Sequence, residues 1–268
     1  MPAVVNRPEG HVAVVPHKER FTIYTFQEDE SGTATVQALC EYMQEAAGNH
    51  AAELGVSIER LHAEGVAWVL ARMRISPERL PSVHDVIEIE TWPVGVEGLQ
   101  FRRDFIVRSD RGEVLARAVS HWVVVSLASR KVGRIPRFIA EVALDNTATA
   151  MDDAKHRLPQ AGPEHEACAF RARLADMDRN RHVNNVRYMD WILESVPNGI
   201  RDEKCLADIE LMFRAESCRD DTVSARTMPD MGGDSSAGAD ESAFCHSLVR
   251  SGDDRELVRA RTLWRKGM

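Results

Sequence analysis

Laid on itself with a shift of 142 positions, the chain places Val107, Arg108 and Ser109 on Val249, Arg250 and Ser251 without a gap. The same register lays Leu115 on Leu257, Arg117 on Arg259, Ala118 on Ala260 and Trp122 on Trp264. Hairpins in β-rich chains can share a pattern by chance, but seven identities in one ungapped register mark a duplication. The helices match more weakly, with Tyr42 and Met43 on Tyr188 and Met189 at a shift of 146. A duplicated chain has to pack two copies of one unit together, which leaves few architectures open.

The unit itself can be read in the first copy. Residues 20–26, RFTIYTF, are β-branched and aromatic and predict a strand. Residues 34–55 then predict a long helix, with Val36, Leu39, Met43, Ala46 or Ala47, His50 and Leu54 on one face and Gly55 as its stop. His50 on that face reads as a satisfied core histidine rather than a reactive one. Four strands follow in VAWVLARMRI, DVIEIETW, LQFRRDFIVR and EVLARAVSHWVVVS, each alternating inward and outward residues, with Arg103 breaking the apolar set of the third. A helix followed by long antiparallel strands is the order of a sheet wrapped around one helix. The pattern lapses over 140–167 and restarts with a strand near 168–175, a helix over 183–196 and four strands to 264. The expected organisation is an arm at 1–19, a unit at 20–139, a linker at 140–167 and a second unit at 168–268. PDMGGDSSAGADES, within the second unit, reads as a flexible loop.

A length of 268 residues, 44% of them hydrophobic, is enough for one substantial core or two smaller ones. The formal net charge of -8 argues against a general nucleic-acid binder. No apolar run approaches the ~18 residues of a membrane span, and the start of the chain lacks a signal-peptide core. Cys40, Cys168, Cys205, Cys218 and Cys245 are odd in number and without C-x-x-C pairing, which fits reduced thiols in a cytoplasmic protein. No metal and no cofactor are expected.

The densest polar signal is DMDRNRHVNNVRYMDWILESV at 176–196. Asp178, Asn180 and His182 fall at spacing two, so an extended backbone would put them on one face with Arg179 and Arg181 turned away. Val186, Met189, Ile192 or Leu193 and Val196 then recur at helical spacing until Pro197 stops the run. The bland alternative makes Asp178 or Asn180 only the cap of that helix. A second cluster, Arg130, Lys131, Arg134 and Arg137, lies within eight residues and is either a docking patch or a solvated loop.

This run, together with FRAES from Phe213 and RELVRARTLWRK near the end, resembles the acyl-acyl-carrier-protein thioesterases of the plant fatty-acid type and their bacterial relatives. The resemblance covers about Phe21 to Lys266. It implies an α+β tandem hot-dog fold, each half a long helix wrapped by an antiparallel sheet, and hydrolysis of fatty acyl-carrier protein to free fatty acid. Asp178, Asn180, His182 and, on a later strand, Glu216 take the catalytic positions. The family often has Cys directly after the Glu, where this chain has Ser217. A water mechanism is therefore expected, with Glu216 as base, His182 and Asn180 as positioning groups and Asp178 as orienter. The implied partner is acyl carrier protein, with a homodimer left open and no nucleic acid; an acyl-CoA thioesterase, a hot-dog dehydratase and a non-catalytic acyl-binding protein are the rivals. The matching first-half region, DESGTATVQ, lacks the histidine and is left free to hold an acyl chain.

Overall fold

The computed structural model describes residues 15–142, 148–153, 158–230 and 240–267. The expected arm and the Gly/Ser/Asp-rich loop lie mostly outside these residues. The first half runs β1 (His17–Thr22), α1 (Val36–Glu53), α2 (Ile58–Ala63), β2 (Val66–Pro77), β3 (Val86–Glu97), β4 (Gln100–Ser109), β5 (Val114–Ser126), the short β6 (Val132–Gly133) and α3 (Arg137–Ala140). The second runs β7 (Glu166–Arg171), α4 (Asn185–Glu194), α5 (Asn198–Glu203), β8 (Lys204–Phe213), β9 (Thr222–Pro229), β10 (Glu241–Arg250) and β11 (Arg255–Lys266). α2, with Ser57 as its cap, has no counterpart in the sequence expectations.

All strands pair into one antiparallel sheet in the order β1-β3-β4-β5-β2-β8-β11-β10-β9-β7, with β6 added to β5. The order is its own mirror image about the β2–β8 joint, as a duplicated unit closing on itself requires. At the joint Met73 pairs with Leu211 and Ile75 with Ile209, all four buried. This apolar face continues the main core under both helices, where α1 contributes Val36, Leu39, Cys40, Met43, Ala46 and Ala47. Leu39 and Met43 have no exposed surface, and burying each is worth roughly 2 kcal/mol. Thr35 caps α1 by accepting the Ala38 N–H at 3.1 Å, and Gly55 at φ 73° ends it in the left-handed conformation that favours glycine.

His50 is buried on α1 and satisfied as expected: Arg103 Nη1 donates to its Nδ1 and to Thr91 Oγ1, each at 3.2 Å. The break that Arg103 makes in its strand is thus filled by a guanidinium serving two neutral acceptors. Burial pushes the Arg103 pKa down to about 10.

The opposite face of the joint is ionic. Arg72 pairs with Glu210, and Arg74 Nε meets Asp208 at 3.0 Å. Part of the aperiodic stretch between the halves straps over this face. The Ala150 N–H donates to Asp104 at 2.7 Å, Arg102 donates to the Met151 carbonyl at 3.1 Å, and His121 pairs with Asp153. A strap held by backbone groups and one carboxylate needs no apolar period, so the sequence pattern shows none there.

The helix register inferred from Tyr42 and Tyr188 is corrected. The two caps place Thr35 on Asn184, which lays Tyr42 on Trp191. Ring contacts agree, since Phe21 of β1 packs on Tyr42 as Phe170 of β7 packs on Trp191. The earlier pairing is about one helical turn off.

Candidate active site

Residues 178–182 form a tight turn rather than the extended segment that spacing two suggested. Asp178 organises it: Oδ1 accepts the backbone N–H of Asn180 at 2.8 Å and of His182 at 3.1 Å, while Oδ2 faces Asn180 Nδ2 at 3.4 Å. The Asp178 N–H donates to the His182 carbonyl at 2.8 Å, and Arg181 closes the turn at φ 65°. The helix cap is neither Asp178 nor Asn180. Asn184 caps α4, its Oδ1 accepting the Val186 N–H at 3.1 Å. Asp178 is therefore free of the cap role and occupied in shaping the loop that carries Asn180 and His182.

Glu216 is not on a strand; it lies in the irregular segment between β8 and β9. That segment is stitched to the turn through Ser217, whose N–H donates to the buried Tyr188 hydroxyl at 3.0 Å and whose carbonyl accepts the Val183 N–H at 2.9 Å. The stitching brings Glu216 Oε2 within 3.3 Å of His182 Nε2. An acid and an imidazole thus meet at the head of α4, with the exposed amide of Asn180 on the same turn as the imidazole. A partly exposed carboxylate beside an imidazole can take a proton from water, and a side-chain amide N–H such as that of Asn180 can donate to a developing oxyanion.

Ser217 itself is fully buried, and its hydroxyl donates to Asp221 Oδ2 at 2.9 Å. Burial works against ionising Asp221, but the N–H of Cys218, the Ser217 hydroxyl and Arg250 outweigh it and hold its pKa below the usual range. Tyr188 and Asp221 were missed from sequence. The one available signal was that a tyrosine on a buried helix face needs a hydrogen-bond partner for its hydroxyl.

The first half repeats the turn without the chemistry. Asp29 Oδ1 accepts the Ser31 N–H at 2.9 Å, the Asp29 N–H donates to the Thr33 carbonyl at 2.9 Å, and Gly32 closes the turn at φ 78°. The Ala34 N–H donates to the Pro81 carbonyl at 2.8 Å, as Val183 does to Ser217. Ser31, Thr33 and Leu80 therefore stand where Asn180, His182 and Glu216 stand in the second half. The duplicated backbone is kept, and the imidazole and carboxylate stand in one copy only.

The basic cluster divides. Arg130 reaches across from the first half, its Nη2 2.7 Å from Glu216 Oε2. Arg137 pairs with Glu141 at 2.6 Å, while Lys131 and Arg134 are exposed. Of the arginines beside the site, Arg179 meets Glu59 at 3.6 Å and Arg187 meets Asp190 at 2.9 Å. Arg181 lines a cleft of about 620 Å³ with Met177, Asp178, Cys218 and Arg219.

The acyl-ACP thioesterase N-terminal domain model matches residues 15–142, and the C-terminal domain model matches residues 160–266. Oleoyl-acyl carrier protein thioesterase 1 of Arabidopsis thaliana is 34% identical over 93% of this chain and 76% of its own length. A palmitoyl-acyl carrier protein thioesterase of Gossypium hirsutum is 31% identical, and there the chain spans 63% of the relative. Among solved structures, the 12:0-ACP thioesterase from Umbellularia californica superposes with a TM-score of 0.81 at 30% identity, over 94% of both chains. An acyl-ACP thioesterase from Bacteroides thetaiotaomicron, at 24% identity and a TM-score of 0.82, shares the fold. With both domain models matched in order and the duplicated hot-dog architecture in place, the chain belongs to the acyl-ACP thioesterase family.

Proposed function

We propose that this chain hydrolyses the thioester of fatty acyl-carrier protein, releasing free fatty acid and carrier protein, with the chemistry in the second unit (168–268), the first (20–139) cradling the acyl chain and 140–167 joining them. The observation that carries the site is the 3.3 Å approach of His182 Nε2 to Glu216 Oε2, in the one half that also has the amide of Asn180. Water attacks the carbonyl carbon as Glu216 takes its proton. The oxygen of the tetrahedral intermediate is met by the side-chain amide of Asn180, and the C–S bond then breaks. The departing thiolate, whose thiol has a pKa of roughly 8.5, leaves without a strong acid and collects the proton. His182 and Asn180 position the water and carbonyl, and Asp178 holds the turn. Ser217 is poorly suited to an acyl-enzyme, because its hydroxyl is buried and committed to Asp221.

Acyl carrier protein is acidic, so its docking on a chain of net charge -8 needs a local basic surface. Lys131 and Arg134 beside the site, with Arg137 and Arg181 at the margin, form that surface, and the cleft lined by Arg181 admits the pantetheine arm. All five cysteines are free, which fits a cytoplasmic reaction. Among the described residues no helix is long and apolar enough to cross a membrane. The test is free-acid release from acyl-carrier protein over a range of chain lengths, with acyl-CoA in parallel. A marked preference for the carrier-bound substrate is expected; equal or better turnover of acyl-CoA would move the substrate assignment.

A further inference from the structure

The turn between β5 and β6 is built to present one side chain. The Arg130 N–H donates to the Ser126 carbonyl at 2.8 Å, the Ser126 N–H donates to the Lys131 carbonyl at 3.0 Å, and the Leu127 N–H ties the turn to Gly65 at 2.9 Å. Arg130 takes φ 55°, a left-handed conformation that is uncommon for a residue other than glycine. From there its guanidinium crosses from the first half to the second and meets Glu216 Oε2 at 2.7 Å, the same oxygen that His182 Nε2 approaches at 3.3 Å. The Glu216 backbone is fixed by the bonds of Ser217, but its side chain is 45% exposed and would otherwise sample several rotamers. Among the described residues Oε1 makes no hydrogen bond. In the first half the corresponding position is Leu80, which needs no such anchor.

We propose that Arg130 is a positioning residue for the hydrolysis: it holds Oε2 of Glu216 against His182 so that Oε1 is turned to the attacking water, and it completes the site from the other half of the chain. This rests on Glu216 being the base. Exposed ion pairs add little to stability, so the contact serves geometry rather than folding. It also separates Arg130 from the docking surface of Lys131 and Arg134.

The experiment measures kcat and KM of the full chain with acyl-carrier protein and with a small acyl-pantetheine thioester, for Arg130→Ala, Arg130→Lys, Glu216→Gln and the Arg130→Ala/Glu216→Gln double variant. Misplacement of a reacting group predicts that Arg130→Ala loses roughly ten- to a hundredfold in kcat on both substrates, with KM for the pantetheine thioester within about twofold. Arg130→Lys recovers part of the loss, as does added guanidinium with Arg130→Ala. In the Glu216→Gln background Arg130→Ala adds nothing, because the two act as one unit. Should Arg130→Ala fail to fold, Arg130→Gln decides in its place. A rise in KM for carrier protein alone would make Arg130 a docking residue and overturn the proposal, and unchanged kinetics would do the same. If Glu216→Gln keeps wild-type turnover, the base assignment falls and this inference with it; if only Glu216→Gln is impaired, the base stands and the role of Arg130 does not.

Discussion

At the scale of single residues, the departure from the family's frequent Cys carries the most mechanistic weight. Ser217 stands in that place, and its hydroxyl is turned into the protein toward Asp221. Ser217→Ala is therefore expected to keep kcat within a few-fold of wild type and to lose stability by roughly 1 kcal/mol, the ordinary net value of a hydrogen bond. A trappable acyl-enzyme in the wild type, lost in the variant, would show the opposite. Asp178, Asn180 and His182 were legible as a set from sequence, but the geometry that groups them was not. Spacing two suggested a shared strand face, whereas an Asp-centred turn with a left-handed residue at Arg181 gathers them. Turn geometry of this kind leaves no periodic trace. Glu216 came only through the family resemblance, because the bonds that bring it to His182 are made by backbone atoms of Ser217 and Val183.

At the scale of elements, the two copies of the turn make an internal control. Asp29 shapes the first-half turn as Asp178 shapes the second, but Ser31 and Thr33 there have no counterpart chemistry. Asp29→Ala should lower stability by about 1 kcal/mol, as loss of a side chain capping backbone N–H groups does, and leave kcat near wild type. Asp178→Ala should cost similar stability and most of the activity. Equal kinetic effects of the two would mean that the turn serves only the fold. The basic segment after β5 is tested in the same way: Arg134→Glu with Arg137→Glu should raise KM for acyl-carrier protein severalfold, more at low salt, and leave a pantetheine thioester unaffected, since steering acts on the encounter. If both substrates suffer equally, the segment is structural. The helices and strands were readable because each has one buried face. The strap over Arg72 and Glu210 was not, because its bonds come from carbonyls, N–H groups and isolated side chains.

At the scale of the whole molecule, the duplication seen in the hairpins reappears as a sheet order that mirrors itself about β2 and β8, whereas acid sensitivity lies in two buried imidazoles that the repeat does not equate. His50 in the first half is buried, and burial with the nearby charges of Arg103 and His17 lowers its pKa to about 4. His246 in the second lies between Thr227 and Thr262, and burial lowers its pKa to about 3. Both imidazoles stay neutral in the fold at pH values where the unfolded chain protonates them. Their contribution is complete above about pH 6.5 and is lost as pH falls toward the folded values, by roughly 2 kcal/mol for each at pH 5. Thermal midpoints should therefore drop between pH 7 and pH 5, and His246→Gln should flatten that drop while lowering the midpoint at pH 7. A midpoint independent of pH over this range would place these imidazoles in exchange with solvent. The central claim concerns one carboxylate reached from both halves, and it is tested most directly by free fatty acid release from acyl-carrier protein by purified Glu216→Gln. Loss of the base predicts turnover reduced on the order of 100-fold or more with the fold intact; turnover near that of the wild type would contradict the mechanism.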